Sequence, residues 1–343
     1  MRRLAVLVTI GALAAACSGD GADSTATGSS TTSTDTTSGA VDDAGPEDGP
    51  DEPESSYGWQ VVEVVDASRP TDAVRGNDGT TLEAADSRVI RTVVAYPSVG
   101  NRSVDDSEAA APAERDPAPL VVFAHGLGGL TAPADPVLQA LVDDGYVVAG
   151  PNFPETTSPY ASAADFQEQP ADVSATIDAL LDPDDGIADF AARLIDADRI
   201  GVVGHSLGGI TVYGATLNSC CIDDRIDAAA SFAGVWGGEF PGGDFSFPPI
   251  PLLLVHGDAD GTVPLAQSRE VFGLTTGPTY LLTLSGTGHG AGIYGGGDDD
   301  RLAAYGALTD FLAVHLDGEA DSSVLDERSI DDAVGRWEVA DNG

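Results

Sequence analysis

Short apolar, β-branched runs alternate with stretches of helical spacing along most of the chain. Strand-like runs fall at 61–65, 88–96, 120–124, 146–149, 200–203, 229–232, 252–255 and 280–284. Between them, apolar positions at the 3.6-residue period predict helices over 136–144, 171–181, 187–194, 206–217 and 265–272, and a last one over 301–316. Such alternation specifies the α/β class, with a mostly parallel central sheet covered by helices on both faces. Open sheets of this kind place their ligands beyond the carboxyl ends of the strands, so the informative loops are those that leave the runs at 120–124, 200–203, 252–255 and 280–284. The chain has no internal repeat and no insertion long enough for a large cap domain. The segment 152–166 is the one candidate lid.

Three stretches depart from the pattern. Arg2 and Arg3 precede an apolar run over 4–14, shorter than the ~20 residues of a membrane span, and Ala14-Ala15-Ala16-Cys17 follows. This segment, 1–16, resembles a bacterial lipoprotein signal, and the resemblance implies a diacylglyceryl group on Cys17; plain secretion is the other reading, and both export the protein. Residues 17–56 are Ser, Thr, Gly, Asp, Glu and Pro with almost no large apolar side chain, the composition of a disordered tether. Residues 319–343 read as an acidic C-terminal tail, which leaves a single α/β domain over 57–318.

The formal charge is −41, from 56 acidic against 15 basic residues, and every basic residue is arginine. That balance excludes nucleic acid and anionic lipid headgroups as partners, so any membrane contact goes through the lipid at Cys17. A monomer is expected. Cys220 and Cys221 are adjacent, closer than the ~4.4 Å at which ordinary disulfides begin, so they form a vicinal bridge or remain two thiols. No metal-ligand spacing surrounds them.

The strongest chemical signal is Gly204-His205-Ser206-Leu207-Gly208, which follows the strand at 200–203 and opens a helix. A serine on a strained strand-to-helix turn needs small residues two before and two after it, and Gly204 and Gly208 meet that need. Its hydroxyl is a weak nucleophile until a base, itself held by an acid, takes the proton. With strand–turn–helix context the order is serine, acid, histidine. Downstream, His289 sits in the glycine-rich loop after 280–284, while His315 lies inside the last helical pattern and reads as a packing or surface residue. In the loop after 252–255, Asp258 and Asp260 both qualify as the acid. Their spacing also opens like a calcium loop, but the twelfth position lacks a glutamate, and no metal site follows. An oxyanion would be met by the Leu207 N–H and by an N–H in His125-Gly126-Leu127-Gly128-Gly129, with Leu127 the candidate donor.

At these residues the chain resembles a family of exported bacterial α/β hydrolases that includes dienelactone-hydrolase-like proteins, platelet-activating-factor acetylhydrolases, chlorophyllases and cutinase-type polyester hydrolases. Beside the elbow, the likeness is carried by Pro119-Leu120-Val121-Val122-Phe123-Ala124-His125-Gly126, Gly145-Tyr146-Val147-Val148, Gln169-Pro170-Ala171-Asp172-Val173 and His256-Gly257-Asp258-Ala259-Asp260-Gly261-Thr262-Val263-Pro264, within 88–316. The resemblance implies that Asp260, three before Val-Pro, is the acid, and that Trp236 matches a tryptophan that stacks on substrate in polyester-hydrolysing members; packing is the competing role for Trp236. Serine at the elbow argues against the named dienelactone reaction, which uses cysteine, and against dehalogenases and epoxide hydrolases, which use aspartate.

The expected function is therefore hydrolysis of a small or polymeric carboxylic ester by Ser206, His289 and Asp260, without metal or organic cofactor. Acyl transfer or amide hydrolysis by the same residues is the alternative within enzymes. A surface lipoprotein that keeps the fold without catalysis is the alternative outside them.

Overall fold

The computed structural model describes residues 56–99, 112–113, 116–182, 193–318 and 320–340. The expected leader at 1–16, the expected lipidation site Cys17, nearly all of the expected tether and most of the helix expected at 187–194 lie outside them. The apolar runs form a nine-stranded sheet in the order β1 (Ser56–Asp66), β4 (Arg88–Ser98), β6 (Val147–Asn152), β5 (Ala118–Ala124), β7 (Ile195–His205), β8 (Ile226–Phe232), β9 (Leu252–Gly257), β10 (Thr279–Leu284) and β11 (Gly335–Val339). The strands from β6 to β10 run parallel, while β1 and β4 at one edge and β11 at the other pair antiparallel. A two-stranded ribbon, β2 (Val74–Arg75) with β3 (Thr81–Leu82), lies apart. This is an α/β-hydrolase fold.

Strand side chains alternate between two cores, as a period of two requires. Val121, Phe123, Val203, Leu253 and Val255 join helices α1 (Pro136–Asp143) and α5 (Asp298–Leu312). Leu120, Val122, Val202, Leu252 and Leu254 join α2 (Gln169–Leu181), α3 (Leu207–Leu217) and α4 (Ala266–Leu274). Both faces of the central strands are covered, which is why these runs are continuously apolar.

The acidic segment beyond 319 is a correction to the expected tail. It forms a short helix, α6 (Ser323–Asp326), and then β11, which completes the sheet beside β10. Trp337 stacks on Tyr280 at 5.6 Å and its indole N–H donates to Leu325 O at 2.8 Å. Arg328 lies over the same ring and pairs with Asp310 on α5. The segment carries acids on its outer side and enough apolar surface on its inner side to dock, so the domain extends to 340.

The candidate lid, 152–166, is tied down rather than free. Its 3₁₀ turn, Ala163–Gln167, brings Asp165 into a buried ion cluster around Arg88. Asp172 receives Arg88 through two bonds of 2.7 Å and Arg69 through a third of 2.7 Å, while Asp165 and Glu155 accept from Arg88 at 2.6 and 3.3 Å. Burial pushes the Asp172 carboxyl upward against the pull of Arg88 and Arg69. Thr156 then donates to Asp165 at 3.0 Å and Gln169 to Thr156 at 2.8 Å, joining the lid to α2.

Replacing Arg88 by Met leaves at least two carboxylates buried without their cation, a change that costs about 3–5 kcal/mol. Denaturant titration of the Arg88→Met variant checks this. A loss below about 1 kcal/mol would show that water reaches the cluster.

Candidate active site

Ser206 sits between β7 and α3 with φ 56° and ψ −116°, a left-side conformation that costs an L-residue on the order of 1–3 kcal/mol. The surroundings hold it there. Its N–H donates to Phe232 O at 2.9 Å, and its carbonyl accepts from Gly209 and Val235 at 2.9 and 3.1 Å. A side-chain carbon on Gly204 would stand 2.2 Å from the Gly208 carbonyl, and one on Gly208 would stand 2.0 Å from the Ala124 carbonyl, so neither position tolerates any residue but glycine. The second contact also sets the end of β5 directly beside the turn.

Ser206, His289 and Asp260, far apart in sequence, form one hydrogen-bonded chain. Ser206 Oγ lies 2.8 Å from His289 Nε2, and His289 Nδ1 lies 2.8 Å from Asp260 Oδ2. The network assigns the Nδ1–H tautomer, with the serine hydroxyl donating to Nε2. Asp260 Oδ1 also accepts the amides of Thr262 and Val263 at 2.8 and 2.9 Å, and His256 Nε2 approaches Oδ2 at 3.3 Å. Burial works against the Asp260 carboxylate, but hydrogen bonds from His256, His289, Val263 and Thr262 outweigh it and hold its pKa well below the usual aspartate range. Asp258, chemically its equal in the sequence, turns outward and accepts the Gly286 N–H at 2.6 Å. His315 packs on Tyr280 and Phe311, away from this chain.

A cleft of about 390 Å³ opens above these groups, lined by His125, Gly126, Leu127, Ser206, Thr262 and His289 among others. Leu207 is the first residue of α3, so its N–H has no intrahelical acceptor. In the loop after β5, Gly128 donates to Thr156 O and Gly129 to Gly126 O, whereas the Leu127 N–H has no acceptor among the described residues. The two amides expected to meet an oxyanion are thus both without a backbone acceptor among the described residues, Leu127 in the loop after β5 and Leu207 at the start of α3 next to Ser206.

Two histidines that the sequence offered only as motif letters act as scaffolding. His125 Nδ1 donates to Gly126 O at 2.8 Å, and its Nε2 accepts from Phe153 N at 3.3 Å and from the Thr157 hydroxyl at 3.1 Å. His205 Nε2 donates to the backbone carbonyl of His289 at 2.8 Å, tying the elbow to the loop that carries the third member. Burial holds both imidazoles neutral, lowering each to about 4. Nothing in their spacing reveals these partners, which are supplied by other loops.

Trp236 sits in the packing role rather than on the cleft wall. It is absent from the residues that line the cleft, and its half-buried ring packs on Phe245 at 4.5 Å and on Tyr213 and Phe247 at 5.8 Å. Its backbone N–H is held by Gln267 Oε1 at 2.6 Å. The chain after β8 turns at Ala233, with φ 47°, and the Trp236 ring belongs to this aromatic cluster. Cys220 and Cys221, in the loop after α3, are joined as a vicinal disulfide and pack with Phe240 and Ile210.

The comparisons with known proteins bear on the family and the fold. Residues 106–277 match the family model described as the dienelactone hydrolase family. Among solved structures, the chain is similar to a ferulic acid esterase from Streptomyces cinnamoneus, with a TM-score of 0.57 and 20% identity over 81% of this chain and 94% of that one. At that identity the likeness speaks for the fold. No curated protein matches the chain.

Two outcomes follow from the packing. An unfolded histidine titrates near 6.5, and the folded His125 and His205 resist protons down to about 4, so between those values the unfolded chain binds protons that the folded chain refuses. Stability therefore falls as pH is lowered from 6.5 toward 4; depressed carboxylates such as Asp260 add their own loss only below the ordinary aspartate range. Urea midpoints across that window measure it, and a flat profile would mean that the rings are protonated in the folded state. Second, Trp236→Ala lowers stability by about 2–3 kcal/mol, less than a fully buried aromatic loses, and reduces ester turnover equally for acetyl and aromatic acyl groups. A loss confined to aromatic esters would restore the substrate wall.

Proposed function

This chain belongs to the dienelactone hydrolase family, and we propose that it hydrolyses carboxylic esters through an acyl-enzyme formed on Ser206. The family gives the general class, an ester-hydrolysing enzyme. The observation that carries the finer reading is the pair of 2.8 Å hydrogen bonds joining Ser206 to His289 and His289 to Asp260. His289 takes the serine proton as Oγ attacks the ester carbonyl, and the resulting imidazolium is stabilised by Asp260, whose carboxylate four donors keep ionised.

Negative charge that develops on the carbonyl oxygen is met by the N–H groups of Leu127 and Leu207, reinforced by the N-terminal end of α3. Collapse expels the alcohol, which receives the proton from His289. Water then attacks the acyl-serine with His289 again as base, the carboxylic acid leaves, and Ser206 Oγ regains its proton. Apart from the ester and the attacking water, each step uses side chains and amides of this chain.

The Ser206→Ala variant loses ester turnover by about four powers of ten or more and loses covalent labelling by a fluorophosphonate, with an unchanged circular dichroism spectrum. Activity within tenfold of the parent would refute the assignment of the nucleophile.

A further inference from the structure

The cleft that holds Ser206 also holds a carboxylate with no part in the proton relay. Asp135 lines it, together with Tyr294 and Leu130. The Tyr294 hydroxyl donates to Asp135 Oδ2 at 2.9 Å, while Oδ1 caps α1 by accepting the Val137 N–H at 2.9 Å. Both oxygens are therefore fixed in place. The Tyr294 ring is set in turn by edge contact with His205 at 5.2 Å and by Phe123 at 6.4 Å.

This carboxylate lacks a counter-charge. Asp66, Asp165, Asp172, Asp196 and Asp223 each face an arginine, but among the described residues no ion pair reaches Asp135. No arginine lines the cleft, and two of its three histidines are kept neutral by burial. Asp260 is covered and committed to His289. The uncommitted fixed charge that a substrate meets is that of Asp135.

We propose that Asp135 selects substrates by charge, admitting esters whose groups are neutral and turning away those that carry a carboxylate. The inference rests on the ester-hydrolase reading above. A cleft of about 390 Å³ keeps any bound anion within one Debye length of Asp135, ~8–10 Å, where repulsion is only partly screened. The same repulsion acts on the product, since hydrolysis turns a neutral ester into a carboxylate anion that the cleft then expels.

The test compares kcat/KM for 4-nitrophenyl hexanoate and for the mono-4-nitrophenyl ester of adipic acid, equal in length but differing by a terminal carboxylate. It is run at pH 8 and low salt, where Asp135 is ionised even though burial raises its pKa. The parent protein favours the neutral ester by about tenfold, and 1 M salt narrows the ratio. Asp135→Asn keeps the helix cap and narrows the ratio at low salt to within about threefold. Asp224→Asn, an exposed carboxylate between α3 and β8, leaves it unchanged. An unchanged ratio in Asp135→Asn, or an equal drop in Asp224→Asn, overturns the proposal while leaving the hydrolase intact. Failure to cleave either ester overturns the hydrolase reading and the proposal with it.

Discussion

The backbone of Ser206 is the constraint on which the rest of the site depends. A φ of 56° is unfavourable for serine, and it persists because β7, α3 and the end of β5 meet there at distances that exclude any side chain at Gly204 and Gly208. The close approach does two things at once. It sets the largely buried Ser206 in the wall of the cleft, and it presses the Ala124 carbonyl against α3, so that the loop carrying Leu127 begins next to Ser206. Relaxing the turn would move the serine and one amide donor apart together.

Loops from four strand ends are then locked to one another rather than to the sheet alone. His205 holds the His289 loop by its carbonyl, and His125 holds the loop after β5 to the loop after β6. Gly128 is bound to Thr156, and Thr156 to Asp165, within the buried cluster around Arg88. The ion cluster thus reaches the loop that carries Leu127 through two hydrogen bonds. A buried charge cluster is poor value as pure stabilisation, but here its fixed geometry orients a loop that has little apolar surface of its own.

How much of this was legible depended on whether the signal was local. The strand at 200–203, the glycines around Ser206 and the placement of His289 after another strand are properties of short segments, and the sequence displayed them. Asp258 and Asp260 are chemically equivalent in the sequence, where only the family resemblance favours Asp260, and the geometry of the turn gives the physical difference: Asp260 faces His289 while Asp258 braces Gly286. Tyr294 and Asp135 lie 159 residues apart, and no spacing rule could join them. Trp236 followed a motif that was present, yet its ring packs on Phe245 and Tyr213, residues that no local spacing places beside it. The edge strand at the C-terminus was hidden by composition, because Arg336 and Glu338 alternate with Trp337 and Val339 inside a segment whose acids dominate any average.

The surplus of acid has a further consequence for the site. Arginine is the only strong cation in this chain, and Arg69, Arg88, Arg225 and Arg328 are each engaged by carboxylates of the fold itself. Structural ion pairs therefore take up much of the positive charge, and the residues around the cleft include no arginine but do include Asp135 and the two buried imidazoles held neutral. Such a field does not attract anions over distance, whatever the local shape of the pocket. Recognition has to come from contact: the apolar edges of Leu127 and Leu130, the amides beside Ser206, and the hydrogen-bonding faces of Thr262 and Tyr294. In the proposed reaction the positive charge arises only transiently, on His289, beside the Asp260 carboxylate that its hydrogen bonds hold ionised.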